Sequence, residues 1–203
     1  MKTISALVDE ALLKHTKDSP QLKTKICNDL EFKLLFQINF SKPFKQAKKE
    51  FVKNYVNNIL IFSFGNVSKA AELANINRRH LHRLINQLNV DIDCHRKQMI
   101  NPVMYMKSNM QNVIEESIED CKNFIDKDNL ESLYSELDDI TTVLADNLDY
   151  PSTFEESMDL FERGYIQKVL EEHNFEIGKA AEKLGMSERT LYRKINKLNI
   201  SVV

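Results

Sequence analysis

Apolar residues recur every three or four positions along most of the chain, the spacing of helices buried on one face. Over Thr3–Lys17 the residues Ile4, Leu7, Val8, Ala11 and Leu12 share a side. Asp18-Ser19-Pro20 predicts a stop, because Pro20 disfavours helical geometry at Ser19. Leu22–Asn39 predicts a second helix, with Leu22, Ile26, Leu30, Leu34 or Leu35, and Ile38 on a face widened by Phe32, Phe36 and Phe40. A long helix is expected from Pro43 to about Ser63, with Phe44, Ala47, Phe51, Tyr55, Ile59 and Phe62 inward and Lys42, Lys45, Lys48, Lys49 and Lys53 opposite. Further helices are predicted over Val103–Asp126, Asn129–Leu148 and Phe154–His173. Asp91–Asn101 is polar, lacks a period and reads as a linker.

Between these elements lies a different pattern. Gly65–Val90 reads as two short helices and a tight turn, the second helix capped by Asn77. Leu81, Ile85 and Leu88 form one apolar stripe. The other face carries Arg78, Arg79, His80, His82, Arg83, Asn86 and Gln87. An apolar floor under an Arg/His/Asn/Gln roof is the form of a recognition helix. The pattern returns ungapped 110 residues later over Glu176–Ile200, with 10 of 21 positions identical between 70–90 and 180–200. The same offset pairs Phe44 with Phe154, Phe51 with Phe161, Tyr55 with Tyr165 and Ile59 with Val169. A duplicated helical unit is therefore expected, comprising 1–90, a linker over 91–101, and 102–203.

Composition agrees with an all-α class, since the 203 residues include only 4 Gly and 4 Pro. No apolar run approaches a membrane span, and the N-terminus does not read as a signal peptide. Cys27, Cys94 and Cys121 are scattered and odd in number, which points to free thiols and a cytoplasmic setting. The net charge of −2 hides an asymmetry. Residues 1–100 hold 17 Lys/Arg against 9 Asp/Glu, and 101–203 hold 11 against 21. The acids concentrate in 115–162, whereas 65–90 and 176–200 are each basic by three. Locally basic segments keep nucleic-acid binding open, because steering follows patches rather than totals.

Both copies resemble the Fis-type helix–turn–helix, found in the factor-for-inversion-stimulation protein and at the C-terminus of NtrC-family transcriptional activators of bacteria. The resemblance rests on Ala70-Ala71 and Ala180-Ala181 where helices would cross, on the turns at Asn75 and Gly185, and on the preceding Phe51/Tyr55 and Phe161/Tyr165 pairs. It implies two tandem Fis-like units, each ending in a helix–turn–helix (65–90 and 176–200), without the activators' ATPase, since no GxxxxGK[ST] loop is present. It implies double-stranded DNA as partner, with recognition helices 78–88 and 188–198 in successive major grooves. By motif position the contacts fall on Asn77, Arg78, His80, His82 and Arg83, and on Ser187, Glu188, Thr190, Tyr192 and Arg193. Arg79, Arg189, Lys194 and Lys197 add to them. A nucleoid-associated, sequence-specific regulator follows, paired through 43–63 and 154–173 either within one chain or between two.

Other chemistry is thin. His80 and His82 stand two apart on a helix and cannot converge on a metal. Asp91, Asp93, Cys94 and His95 lie close together, but with no second ligand cluster they read as polar linker. No constellation supports an enzyme, and no metal or cofactor is expected. The competing reading is a non-catalytic interaction protein. In it one helix–turn–helix is degenerate and the acidic 115–162 region docks another regulator.

Overall fold

The computed structural model describes residues 8, 20–30, 42–98, 100–147 and 152–201. The described chain is all-α. Its helices are α1 (Pro20–Asp29), α2 (Phe44–Phe62), α3 (Val67–Leu73), α4 (Arg78–Leu88), α5 (Ile92–Gln98), α6 (Pro102–Cys121), α7 (Lys127–Ser135), α8 (Leu137–Asn147), α9 (Phe154–Glu172), α10 (Ile177–Leu184) and α11 (Glu188–Leu198). A 3₁₀ turn, Lys122–Phe124, follows α6. Apart from Val8, the helix expected over Thr3–Lys17 lies outside the described residues, as does most of the span expected to continue α1 to Asn39.

Contacts divide the chain into two compact bodies, and each draws on both halves of the sequence. The first comprises Met1–Leu35 with Lys97–Tyr150, and the second Phe36–Arg96 with Pro151–Val203. In the first, α6 packs against α1 and α8. Leu22, Ile26, Met110, Ile114, Ile118, Leu133, Leu137, Ile140 and Leu144 are buried there. Lys25 bridges Asp29 at 3.1 Å and Asp120 at 3.0 Å, tying α1 to α6.

Three local expectations are corrected. The segment read as a linker contains α5, because Asp91 Oδ1 accepts from the amides of Asp93 (2.9 Å) and Cys94 (3.2 Å) and so caps a helical turn. The helix expected to reach Asp126 ends at Cys121 and tightens into the 3₁₀ turn. The helix expected over Asn129–Leu148 is two, because Glu136 takes φ −104° and ψ 7° and ends α7.

In the second body α2 and α9 are the long elements. Phe44, Ala47, Phe51, Tyr55 and Ile59 of α2 are buried, as are Phe161, Tyr165, Val169 and Leu170 of α9. Phe51 stacks on Phe161 with centroids 4.6 Å apart. Around that pair the contacts are reciprocal. Phe44 meets Tyr165 edge-on at 5.2 Å, and Phe154 meets Tyr55 edge-on at 5.4 Å. The Tyr55 hydroxyl donates to the Ser152 carbonyl at 2.8 Å, and the Tyr165 hydroxyl donates to the Lys42 carbonyl. Every partner in the second member of these pairs stands 110 positions from its counterpart in the first. Aromatic pairs of this geometry add about 0.5–1.5 kcal/mol each beyond the area they bury.

Candidate nucleic-acid interface

Two short helix pairs flank the α2–α9 seam. After α2 the chain reverses through Phe64 and Gly65, both at positive φ, and the Gly65 amide donates to Leu60 O at 2.8 Å. After α9 it reverses through Asn174 and Phe175 in the same conformation, with Phe175 N donating to Leu170 O at 2.7 Å. Asn66 caps α3 by accepting from the amides of Ser68 and Lys69. The Ala pairs are buried in both copies, which lets each first helix lie close under the second. The turns place Asn75 at φ 52° and Gly185 at φ 65°, and the amides of Ile76 and Met186 return to the carbonyls of Ala71 and Ala181 at 3.0 Å. These left-handed positions suit Asn and Gly.

The second helices, α4 and α11, are fixed at both ends. Asn77 Oδ1 accepts from Arg79 N at 2.8 Å, and Ser187 Oγ accepts from Thr190 N at 3.3 Å. Asn89 and Asn199 close them in left-handed geometry. Leu81, Ile85 and Leu88 are buried under α4, as are Leu191, Ile195 and Leu198 under α11. The expected apolar floors are therefore present in both.

The expected contact residues separate into distinct settings. Arg78, Arg79 and Arg83 on α4 are exposed, as are Arg189, Tyr192 and Arg193 on α11. Tyr192 keeps 53% of its surface in solvent, far more than a core aromatic. Asn77 and Ser187 are exposed too, with side chains engaged as caps. Thr190 is half-buried, its hydroxyl 2.9 Å from Ser187 Oγ. His80 is half-buried, with its ring edge-on to Phe154 at 6.0 Å, and Phe154 N donates to Ala74 O at 2.9 Å, so the start of α9 braces the α3–α4 turn. His82 is half-buried. Glu188 is exposed, yet its carboxylate sits where a side chain on Gly178 would meet it, 3.2 Å from an ideal Cβ.

Lys194 and Lys197 point toward α9. Lys194 is ion-paired with Glu162, which also binds Lys48 Nζ of α2 at 2.7 Å. Lys197 Nζ lies 2.9 Å from Asp159. Glu162 is only 6% exposed. Burial pushes its carboxyl pKa up, but the hydrogen bonds from Lys194 and Lys48 outweigh that and hold it below the ordinary carboxylate value. The Glu162 bridge thus joins α2, α9 and α11. It also means that the end of the acidic 115–162 stretch is spent inside the second body.

Glu162 was legible as a problem, though not as a solution. It falls four residues after Met158 and four before Ile166, within the apolar stripe of α9. A carboxylate there demands a partner, and only the packing reveals which. Arg96, in the segment read as linker, was not signalled. Its Nε donates to Gly65 O at 3.3 Å. His95 stands beside it with Nε2 3.2 Å from Asn57 Oδ1 and Nδ1 buried without a partner, and burial holds its pKa below the ordinary histidine value. Among the described residues no group of three or more His, Cys, Asp or Glu is placed to hold a metal, and no helix is long and apolar enough to cross a membrane.

Comparison with known proteins adds a likeness over part of the chain. Residues 157–198 match the model of the Fis family of bacterial regulatory proteins. No curated protein and no solved structure matches the chain. The matched residues run from early α9 to the last residue of α11, including the Glu162 bridge and the Arg189/Tyr192/Arg193 face. Over residues 157–198 the chain is therefore similar to the helix–turn–helix of that family.

Proposed function

We propose that the protein is a non-catalytic, sequence-specific regulator of transcription that reads one double-stranded DNA site with two unlike half-sites. The observation that carries this reading is the reciprocal aromatic seam between α2 and α9. Fis-type recognition needs two helices held for successive major grooves about 34 Å apart. The seam supports a pair supplied by one chain, with α4 reading one half-site and α11 the other. The faces share Arg79/Arg189 and Arg83/Arg193 but differ at Arg78/Glu188 and His82/Tyr192. Arginine can fork onto a guanine edge, a carboxylate can accept from a cytosine amino group, and an aromatic can pack on a thymine methyl. The half-sites should therefore differ in sequence.

The experiment is selection of bound duplexes from a random pool, with light scattering on the complex. Enrichment of a two-part site with unlike halves, bound by one chain, is the expected result. A palindrome bound by two chains would transfer the pairing to a homodimer. No enrichment would sink the DNA reading in favour of a protein-interaction role.

A further inference from the structure

One cleft of about 380 Å³ opens in the second body beside α4, lined by residues that include Arg78, His82 and Arg96 together with Asn66 and Ser68. Two arginines and a histidine from two helices thus line one space. An acid is near: Arg96 Nη1 lies 3.3 Å from Asp93, whose side chain is 73% exposed. A bridge that exposed is weak and readily exchanged.

The third wall is built into the fold. Gly65 has φ +71°, but its counterpart Phe175 holds φ 59° with a full side chain. Conformation alone therefore favours glycine at 65 without requiring it. What demands it is α5: an ideal Cβ on Gly65 would lie 2.5 Å from Arg96 Cγ and 3.1 Å from its backbone nitrogen. The missing side chain lets the Arg96 stem cross the backbone, and the Gly65 carbonyl holds its Nε. Arg96 thereby lines the cleft together with Arg78 and His82.

We infer that this cleft binds a phosphodiester group of the DNA backbone through Arg96, at the edge of the groove that Arg78 and His82 read. Arginine is the side chain suited to it, since its planar fork matches two phosphate oxygens at once. A backbone contact of this kind fixes register without reading sequence. The inference rests on the proposed DNA-binding function.

The test uses the full chain and its selected duplex, comparing the unaltered protein with Arg96→Gln and Arg96→Lys. Each neutralised phosphate contributes about 0.9 to the slope of log affinity against log salt. Arg96→Gln should lower that slope by about one and abolish ethylation interference at one phosphate beside the first half-site, with the selected sequence unchanged. Arg96→Lys, which keeps the charge, should retain the slope. Equal slopes and unchanged interference for Arg96→Gln would overturn the inference while leaving the DNA reading intact. Equal losses of slope in both variants would assign Arg96 a packing role and also overturn it. If the unaltered chain binds no duplex, the DNA reading fails and the inference falls with it.

Discussion

At the scale of single residues, two positions test the packing most directly. Gly65→Ala should cost about 1–3 kcal/mol in urea denaturation, from a left-handed residue and a clash with Arg96. The cost should shrink in an Arg96→Ala background, where the clashing Cγ is gone, so the two substitutions are non-additive. Glu162→Gln should cost about 1–2 kcal/mol at pH 7, because two lysines lose a charged partner but remain near enough to solvent to rehydrate. Its pH dependence has a definite sign. A carboxyl held below its ordinary value in the folded state contributes stability above the ordinary value, and loses it as pH falls through the folded one. The stability gap between the unaltered protein and the Glu162→Gln variant should therefore shrink as pH falls below the ordinary carboxylate value. A gap that does not change on acidification through the carboxylate range would remove the ion bridge as its cause.

At the scale of elements, α4 and α11 share a scaffold and differ in surface. Caps, left-handed closures and apolar stripes recur at equivalent positions, so the backbones are presented alike. Arg83 and Arg193 occupy equivalent exposed places. Arg83→Ala and Arg193→Ala should each weaken binding of the selected duplex by about 1–3 kcal/mol, measured by fluorescence anisotropy, and should relax sequence preference in different halves of the site. Loss of preference in the same half for both would contradict the assignment of one helix to each. Much of this level was readable beforehand. The Leu81/Ile85/Leu88 stripe, the Asn77 cap and the Asn75/Gly185 turns depend on neighbours within a few residues, which periodicity and cap chemistry report. Where Lys194 and Lys197 point was not readable. Their register on α11 permits either a groove or α9, and the choice falls to Glu162 and Asp159, more than 30 positions away.

At the scale of the whole molecule, the sequence repeat and the compact body are different divisions of the chain. The repeat runs at an offset of 110, while the second body joins 36–96 to 151–203. The Phe51–Phe161 stack sits at the self-paired position of that repeat, where like meets like. Phe51→Ala and Phe161→Ala should each cost about 3–5 kcal/mol by chemical denaturation. The double variant should cost less than their sum by about 0.5–1.5 kcal/mol, the coupling of a direct aromatic pair. Strict additivity would mean that the rings do not depend on each other.

By itself the sequence determined the all-α class, the two short helix pairs, the Asn77 cap, the apolar floors and the likeness of 70–90 to 180–200. These follow from local rules: a 3.6-residue period, a cap within three residues, a turn that tolerates left-handed backbone. Only the tertiary structure decided that the two long helices meet through reciprocal aromatics, that Lys194 is held by a buried carboxylate, and that a polar stretch folds as α5 to bring Arg96 over Gly65. Each of these joins residues remote in the chain. Their cost or gain depends on desolvation and on close approach, which the linear order of side chains does not contain.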